Sequence, residues 1–450
     1  MDGVLKGSRN ILRGRMPSIL IASALVIGLF MAALITLPSS EGNPPTPNVP
    51  ARAAAYSVHA TILIDGNAGF LGPNATTGIS WGSGDIDDPY IIEGWDINAS
   101  AANGIQIQNT NAYFIIRGCY IHNGSSSYVG IYLLSCLNGT LRSNTWSNNF
   151  AGIYLAFSSS NTIFDNTCSL SSQEGIYLGI SSNNTVSGNN CSDNWYGIVI
   201  WSSNNNTVSN NTCSSNTNNE GIYLGISSNN TLRNNTCSNN GGGIYLGSSS
   251  DNNTLSGNNC SSNNWYGIDI WSSNNNTLSG NNCSSNNGDG IYLYSSSNNV
   301  LSRNQFCNNV AHGGYIDSGS NNVIWNNAFI GNNGAGSIYD PSHIQAYDDG
   351  MNNWWNTSGS PHGYGNYWGD LTTPDNNVDG IVDWSYNLTG SAGAKDYYPL
   401  TTHGLPIPEP SILILAGVIM GVFLMVNRTR HPDRHGDDHH DRQRPEEPLL

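Results

Sequence analysis

The sequence predicts an all-β fold: a single-stranded right-handed parallel β-helix of about ten coils, with capping regions and a hydrophobic helix towards each terminus. Three observations predict it. Glycines open a recurring phrase at Gly104, Gly130, Gly152, Gly175, Gly197, Gly221, Gly243, Gly267, Gly290 and Gly314, at intervals of 22 to 26 residues. A period in that range marks a solenoid, whose repeats bury their apolar faces only by stacking. Apolar and polar residues alternate after each glycine, the period of a strand. Cys168, Cys191, Cys213, Cys237, Cys260, Cys283 and Cys307 recur at 22 to 24 residues, as one internal column would.

The repeat from Gly175 illustrates one coil. Ile176 and Leu178 share one parity and face inward, and Tyr177 faces out. Ser181–Asn184 has turn composition. Thr185-Val186-Ser187 is a second short strand with Val inward, Gly188-Asn189-Asn190 a turn, and Cys191-Ser192 a third strand with Cys inward. Asparagine suits the turns because it tolerates the left-handed conformation. Stacked in register, its side chains can also bond to the coils on either side. Cys119 is expected in the same column, with Trp146 replacing cysteine one coil later. Nine cysteines at these spacings lack the close pairs of a zinc site, and a buried column of free thiols is expected.

The other segments follow in order. Residues 1–16 form a basic cytoplasmic N-terminus, with Lys6, Arg9, Arg13 and Arg15. Residues 17–37 are apolar, a signal peptide or signal-anchor helix with the rest of the chain outside. Residues 38–58 form a Pro- and Ala-rich linker, 59–103 the N-terminal cap and first coils, 104–330 the repeats, and 331–404 a C-terminal cap. Residues 405–427 carry Pro408-Glu409-Pro410 and an apolar run before arginines. That arrangement resembles the sorting signal handled by exosortase- or archaeosortase-type transpeptidases, a plain membrane anchor being the alternative. Residues 428–450 are a polar His/Arg/Asp tail. Asn-x-Ser/Thr sequons such as Asn183, Asn205 and Asn229 permit glycosylation outside the cell.

Charge narrows the partners. Charged residues are 10% of the 450, with 31 acids against 15 bases and a net charge of -16. Such a chain is not expected to bind nucleic acid. The expected partners are a polysaccharide or surface glycoprotein, and the membrane through the terminal helices.

The predicted outward face supplies the candidate site. Tyr154, Tyr177, Tyr223, Tyr245 and Tyr292 share the second place after the glycine; Trp201, Trp271 and Tyr294 hold the next outward place. Trp195-Tyr196 and Trp265-Tyr266 precede two of these strands, and Glu174, Glu220, Asp269 and Asp289 edge the stripe. Flat rings beside hydrogen-bonding acids suit sugar rings; the competing reading is a tyrosine ladder that stabilises the sheet. Asp269 and Asp289 are the weak catalytic candidates, as a carboxylate pair on adjacent coils. Arg117, Arg142, Arg233 and Arg303 are widely spaced and offer no basic partner, so a non-catalytic protein is favoured over a polysaccharide lyase or glycoside hydrolase. Asp375, Asn377, Asp379 and Asp383 place oxygen donors at alternate positions around Gly380, like the start of a calcium loop, and calcium is the candidate cofactor.

The repeats with their flanks resemble the NosD-like right-handed β-helix proteins, a family of carbohydrate-binding and sugar-hydrolysis domains. The resemblance spans about residues 60–400. Asp88-Pro89-Tyr90-Ile91-Ile92-Glu93-Gly94-Trp95-Asp96-Ile97 resembles the opening cap of archaeal surface members. Gly365-Asn366-Tyr367-Trp368-Gly369-Asp370, Asp379-Gly380-Ile381 and Asp396-Tyr397-Tyr398-Pro399-Leu400 resemble their closing region. The family name implies periplasmic copper delivery to nitrous oxide reductase. Against that, Met351 is the only methionine outside the terminal segments, and His312, His343 and His362 form no cluster in the sequence. The expected function is an extracytoplasmic, membrane-tethered rod displaying a glycan- or partner-binding face. The alternatives are a lyase or hydrolase, a structural envelope component and a copper-delivery accessory.

Overall fold

The computed structural model describes residues 56–71, 76–216, 218–357 and 364–403. The two expected apolar helices and the polar tail lie outside these residues. Among the described residues no helix is long and apolar enough to cross a membrane.

Successive coils stack as three ribbons of short strands. The first sheet has twelve strands from Ile62–Asp65 to Ala346–Asp348, all joined in parallel. The second also has twelve, running from Tyr90–Glu93 to Val323–Trp325 in parallel, and Ile79–Trp81 closes its start as an antiparallel partner. The third is continuous only near the ends. Between Thr167 and Gln305 it thins to single-residue bridges such as Asn190↔Thr212 and Thr236↔Asn259.

The interior is one apolar cluster filled as the alternation requires. Ile176, Leu178, Val186 and Cys191 of one coil are all fully buried. The glycine that opens each coil is required by crowding. A Cβ on Gly175 would lie 2.8 Å from the Gly197 carbonyl oxygen and 2.9 Å from Cys191 Cβ.

Six cysteines form the internal column: Cys168, Cys191, Cys213, Cys237, Cys260 and Cys283 pack coil on coil as free, buried thiols. Two expected members do not belong to it. Cys283 is followed by Phe306, because Asn282 pairs with Gln305; Cys307 falls one residue later and turns to the half-exposed side. Trp146 pairs with Ile121, and Cys119 instead sits at the foot of an asparagine ladder, its N–H donating to Asn144. The same one-residue slip affects the last glycine. Ile291 pairs with Gly314, so Gly313 holds the corner.

Three ladders of buried side chains hold the turns together. In one, each asparagine from Asn144 through Asn166, Asn189, Asn211 and Asn235 offers its N–H to Oδ1 of the next, ending at Asn366. A second runs from Asn161 to Asn353, and a third from Asn194 to Gln345. All three pass donors towards the C-terminus, so the last member needs an acceptor beyond it. Each finds a carboxylate, which only accepts when ionised. Asn353 donates to Asp348 at 2.9 Å, the Asn366 N–H to Asp396 at 2.6 Å and Gln345 to Asp370 at 2.5 Å. The C-terminal cap thus terminates all three ladders.

Candidate functional site

The outer face of the first sheet carries the aromatic residues in two registers. One row runs Tyr132, Tyr154, Tyr177, Val199, Tyr223, Tyr245, Asp269, Tyr292, Tyr315 and Tyr347. The other runs Ala156, Gly179, Trp201, Gly225, Gly247, Trp271, Tyr294 and Asp317. The face is therefore the one expected, but most of its rings are spent on one another. Tyr154 and Tyr177 stack at 4.4 Å, Tyr223 and Tyr245 at 4.9 Å, and Trp271 and Tyr294 at 3.9 Å between centroids. Tyr177, Tyr196, Val199 and Trp201 form a buried cluster outside the main core, with Tyr154 and Tyr223 against it. The glycines make this possible. A Cβ on Gly179 would lie 2.5 Å from the Tyr177 ring, and one on Gly225 2.5 Å from Trp201.

The open aromatic surface lies at the margins. Trp195 is 44% and Trp265 36% exposed, just before the strands of Trp201 and Trp271. On the far margin Phe157, Ile180 and Ile226 stand exposed at corners with φ near +51°. Isoleucine pays a steric penalty there. Neither Ile180 nor Ile226 was foreseeable as exposed, since alternation assigns parity only while the backbone remains extended.

A third row immediately precedes the corner glycines. It holds Glu174, Tyr196, Glu220, Gly242, Tyr266, Asp289 and His312. Burial pushes the Glu174 carboxyl up to about 7. Burial likewise lifts the Tyr177 hydroxyl to about 12, with the nearby Glu174 charge adding to the rise. Asp269 and Asp289 are not brought together across the sheet. Asp269 pairs with Tyr245 and Tyr292, whereas Asp289 accepts the His312 N–H at 2.9 Å and faces its Nδ1 at 3.4 Å. The Asp289–His312 contact had no signal in the sequence, because the repeat is irregular there.

Charge is segregated around the rod. Arg117, Arg142 and Arg233 lie in strands of the second sheet and Arg303 directly follows another. The three outward rows of the first sheet contain acids but neither lysine nor arginine.

The Asp375–Asp383 loop is closed by its own hydrogen bonds. Asp375 accepts the N–H groups of Asp379 and Gly380, Asp379 accepts that of Ile381, and Asp383 accepts from Asn376; Asn377 donates to Asp379. Met351 is exposed, and His122, His312 and His343 each face a single aspartate. Among the described residues no group of three or more His, Cys, Asp or Glu is placed to hold a metal ion.

No curated protein matches the chain. Among solved structures, the Azotobacter vinelandii mannuronan C-5 epimerase AlgE4 A-module is similar at 15% identity and a TM-score of 0.42, covering 58% of this chain and 86% of its own. The periplasmic alginate epimerase AlgG is similar at 16% identity and a TM-score of 0.40, covering 65% and 83%. The Dettilon tailspike protein gp208 is similar at 13% identity and a TM-score of 0.44, covering 58% and 61%. The family model described as periplasmic copper-binding protein (NosD) matches residues 63–231 and 201–373, and the chain, a parallel β-helix over the same span, belongs to that family.

Proposed function

We propose that this protein is an extracytoplasmic, membrane-tethered β-helix that binds glycans or glycosylated surface partners through the outer face of its first sheet, without cleaving them. The family's periplasmic description supports the compartment. The observation that carries the reading is the face itself: rows of aromatic rings with exposed Trp195 and Trp265 at the margin, edged by the half-buried carboxylates of Glu220 and Asp317 and free of lysine and arginine. Aromatic faces pack against the C–H faces of sugars while carboxylates accept their hydroxyl protons. Asp269 and Asp289 occupy different rows, which speaks against a carboxylate pair acting on one glycosidic bond.

Copper, which the family description implies, has no matching donor set among the described residues. Copper(I) favours thiolates and thioethers. The column thiols are sealed in the core, where burial raises those of Cys191, Cys213 and Cys260, while the Cys213 and Cys260 thiols beside Cys237 draw that one down. A structural role in the envelope is the second reading, favoured by the rings that stack on each other rather than remain open.

The test is incubation of the purified protein with a panel of polysaccharides. Retention without cleavage is expected. New reducing or unsaturated ends would establish an enzyme instead. Absence of retention would leave the structural role, and tight copper uptake would restore metal delivery.

A further inference from the structure

One corner of the coil repeats a chemical pattern that the fold does not require. Asn183, Asn205, Asn229, Asn252 and Asn275 lie between the first-sheet and second-sheet strands of five consecutive coils, each in the left-handed region with φ between 58° and 61°. The backbone fixes their register. The Asn183 N–H donates to the Asn204 carbonyl, that of Asn205 to Ser228 and that of Asn229 to Asp251, in each case the residue before the next asparagine. Two residues further on, Thr185, Thr207, Thr231, Thr254 and Thr277 pair directly with one another in the second sheet. Each Asn and Thr bracket a buried asparagine of one ladder, from Asn184 to Asn276. The middle residue therefore points into the core, and the first and third face out.

Neither residue type is imposed by its place. The next corner of these coils is also left-handed, and Gly188, Gly257, Gly280 and Arg303 serve there beside Asn210 and Asn234. The strand place of the threonines passes to Val300 and Val323 in the coils that follow, as expected of a site that asks only for a β-branched residue. Yet asparagine and threonine coincide on all five coils, and together they form the Asn-x-Thr acceptor of N-linked glycosylation. The acceptor groups are open. The five asparagines are exposed, the threonines are exposed or half-buried, and among the described residues none of these side chains hydrogen-bonds a neighbour. By contrast, the sequons at Asn138, Asn259, Asn282 and Asn387 each have a member engaged. Asn138 donates to the Asn111 carbonyl at 2.8 Å, Asn259 accepts from Ser261 at 2.8 Å and from Asn282 at 3.2 Å, and Thr389 donates to the Ala346 carbonyl at 3.1 Å.

We propose that this column is a glycosylated edge, with oligosaccharides carried on Nδ2 of Asn183, Asn205, Asn229, Asn252 and Asn275. The donor is an oligosaccharide joined through phosphate or pyrophosphate to a membrane lipid. The asparagine amide gives up one proton and bonds to the anomeric carbon. The bond from that carbon to the phosphate oxygen breaks, and the lipid phosphate leaves with the electron pair; nothing is oxidised or reduced. Such modification requires the extracytoplasmic compartment of the proposed function but not the binding of glycans by the aromatic face. Attachment points stand only about 4.8 Å apart along the axis, so neighbouring sugar chains crowd one another. Partial occupancy of each asparagine is expected, with the column as a whole modified. The result is a hydrophilic ridge between the first and second sheets that ends where Val300 replaces threonine.

The test is peptide mass spectrometry of the full-length protein purified from its own source organism. Sugar increments are expected on the five column asparagines and not on Asn138, Asn259, Asn282 or Asn387. Thr207→Val, produced in the same organism, should abolish the increment on Asn205 while keeping the native circular dichroism, because valine already holds that strand place in later coils. Thr207→Ser keeps the acceptor hydroxyl and should keep the increment. If Thr207→Val loses the fold, Asn205→Gln supplies the same comparison. A bare column in the native protein would overturn the proposal, and so would an increment on Asn205 that survives Thr207→Val. Sugar found only on other sequons would overturn the column but leave the extracytoplasmic compartment standing.

Discussion

Asn189 and Asn211 occupy the same place in consecutive coils, and Oδ1 of Asn211 accepts both the backbone N–H and the side-chain amide of Asn189, each at 2.9 Å. Asn211 in turn donates to the Val186 carbonyl and to Asn235, both at 3.0 Å. One side chain thus joins three coils. Asn211→Leu leaves the buried Asn189 N–H without its acceptor and takes a donor from the buried Val186 carbonyl, whereas the Asn189 amide keeps the Ile163 and Ser187 carbonyls. The expected loss is about 2 kcal/mol or more in chemical denaturation, from roughly 1 kcal/mol or more for each group affected. Asn210→Gly, at an exposed corner with φ +56°, should change stability by less than about 0.5 kcal/mol, since glycine adopts that conformation freely. Equal losses in the two variants would contradict the ladder.

Gly225 is kept small by Trp201. Its backbone is not in the left-handed region, so alanine meets side chains rather than strain: Trp201 Cε3 would lie 2.5 Å and Tyr223 Cε1 3.0 Å from the new Cβ. Gly225→Ala should displace the indole, shift its emission towards the red and cost about 1–3 kcal/mol. An unshifted spectrum with unchanged stability would show that the ring does not lie there.

Glu174 makes stability depend on pH in an uncommon direction. Its folded-state value near 7, raised by burial, exceeds its ordinary value of 4.5. Between those values the folded protein holds a proton that the unfolded chain has released. Stability therefore falls as pH rises from about 4.5 to 7 and levels off above, a span of up to about 3 kcal/mol. Asp396 contributes with the same sign, since burial lifts it from 3.8 to about 7. Glu174→Gln should remove its share of the slope and be the more stable form above pH 7. Denaturation midpoints at pH 5 and pH 8 measure the difference, and identical slopes in the two proteins would exclude the assignment.

The thiols should divide by position. The six column cysteines are sealed between coils, and burial raises the Cys191, Cys213 and Cys260 thiols. Cys307 reaches the half-exposed side. A thiol reagent applied to native protein should modify Cys307 first and leave the column untouched until unfolding, when all nine cysteines react. Mass spectrometry of the labelled peptides reads this directly. Early labelling of Cys213 or Cys237 would be incompatible with a closed core.

Sequence periodicity was sufficient for the coil, its three strands, the inward Ile/Leu/Val/Cys set and the outward tyrosine row, because a solenoid repeats each environment once per turn. It was insufficient wherever the interval changed. Phe306 or Cys307, and Gly313 or Gly314, are alternatives one residue apart, and a slip of one residue reverses which side a chain faces. Only the cross-coil hydrogen bonds chose between them. The candidate site divides in the same way. Its aromatic and acidic residues were all visible in the sequence. Which rings stack on each other, which stay open, and that Asp269 and Asp289 stand in separate rows were decided by the lateral packing of coils more than twenty residues apart. Local pattern fixes the parity of each side chain along its strand, while contacts between coils fix its neighbours.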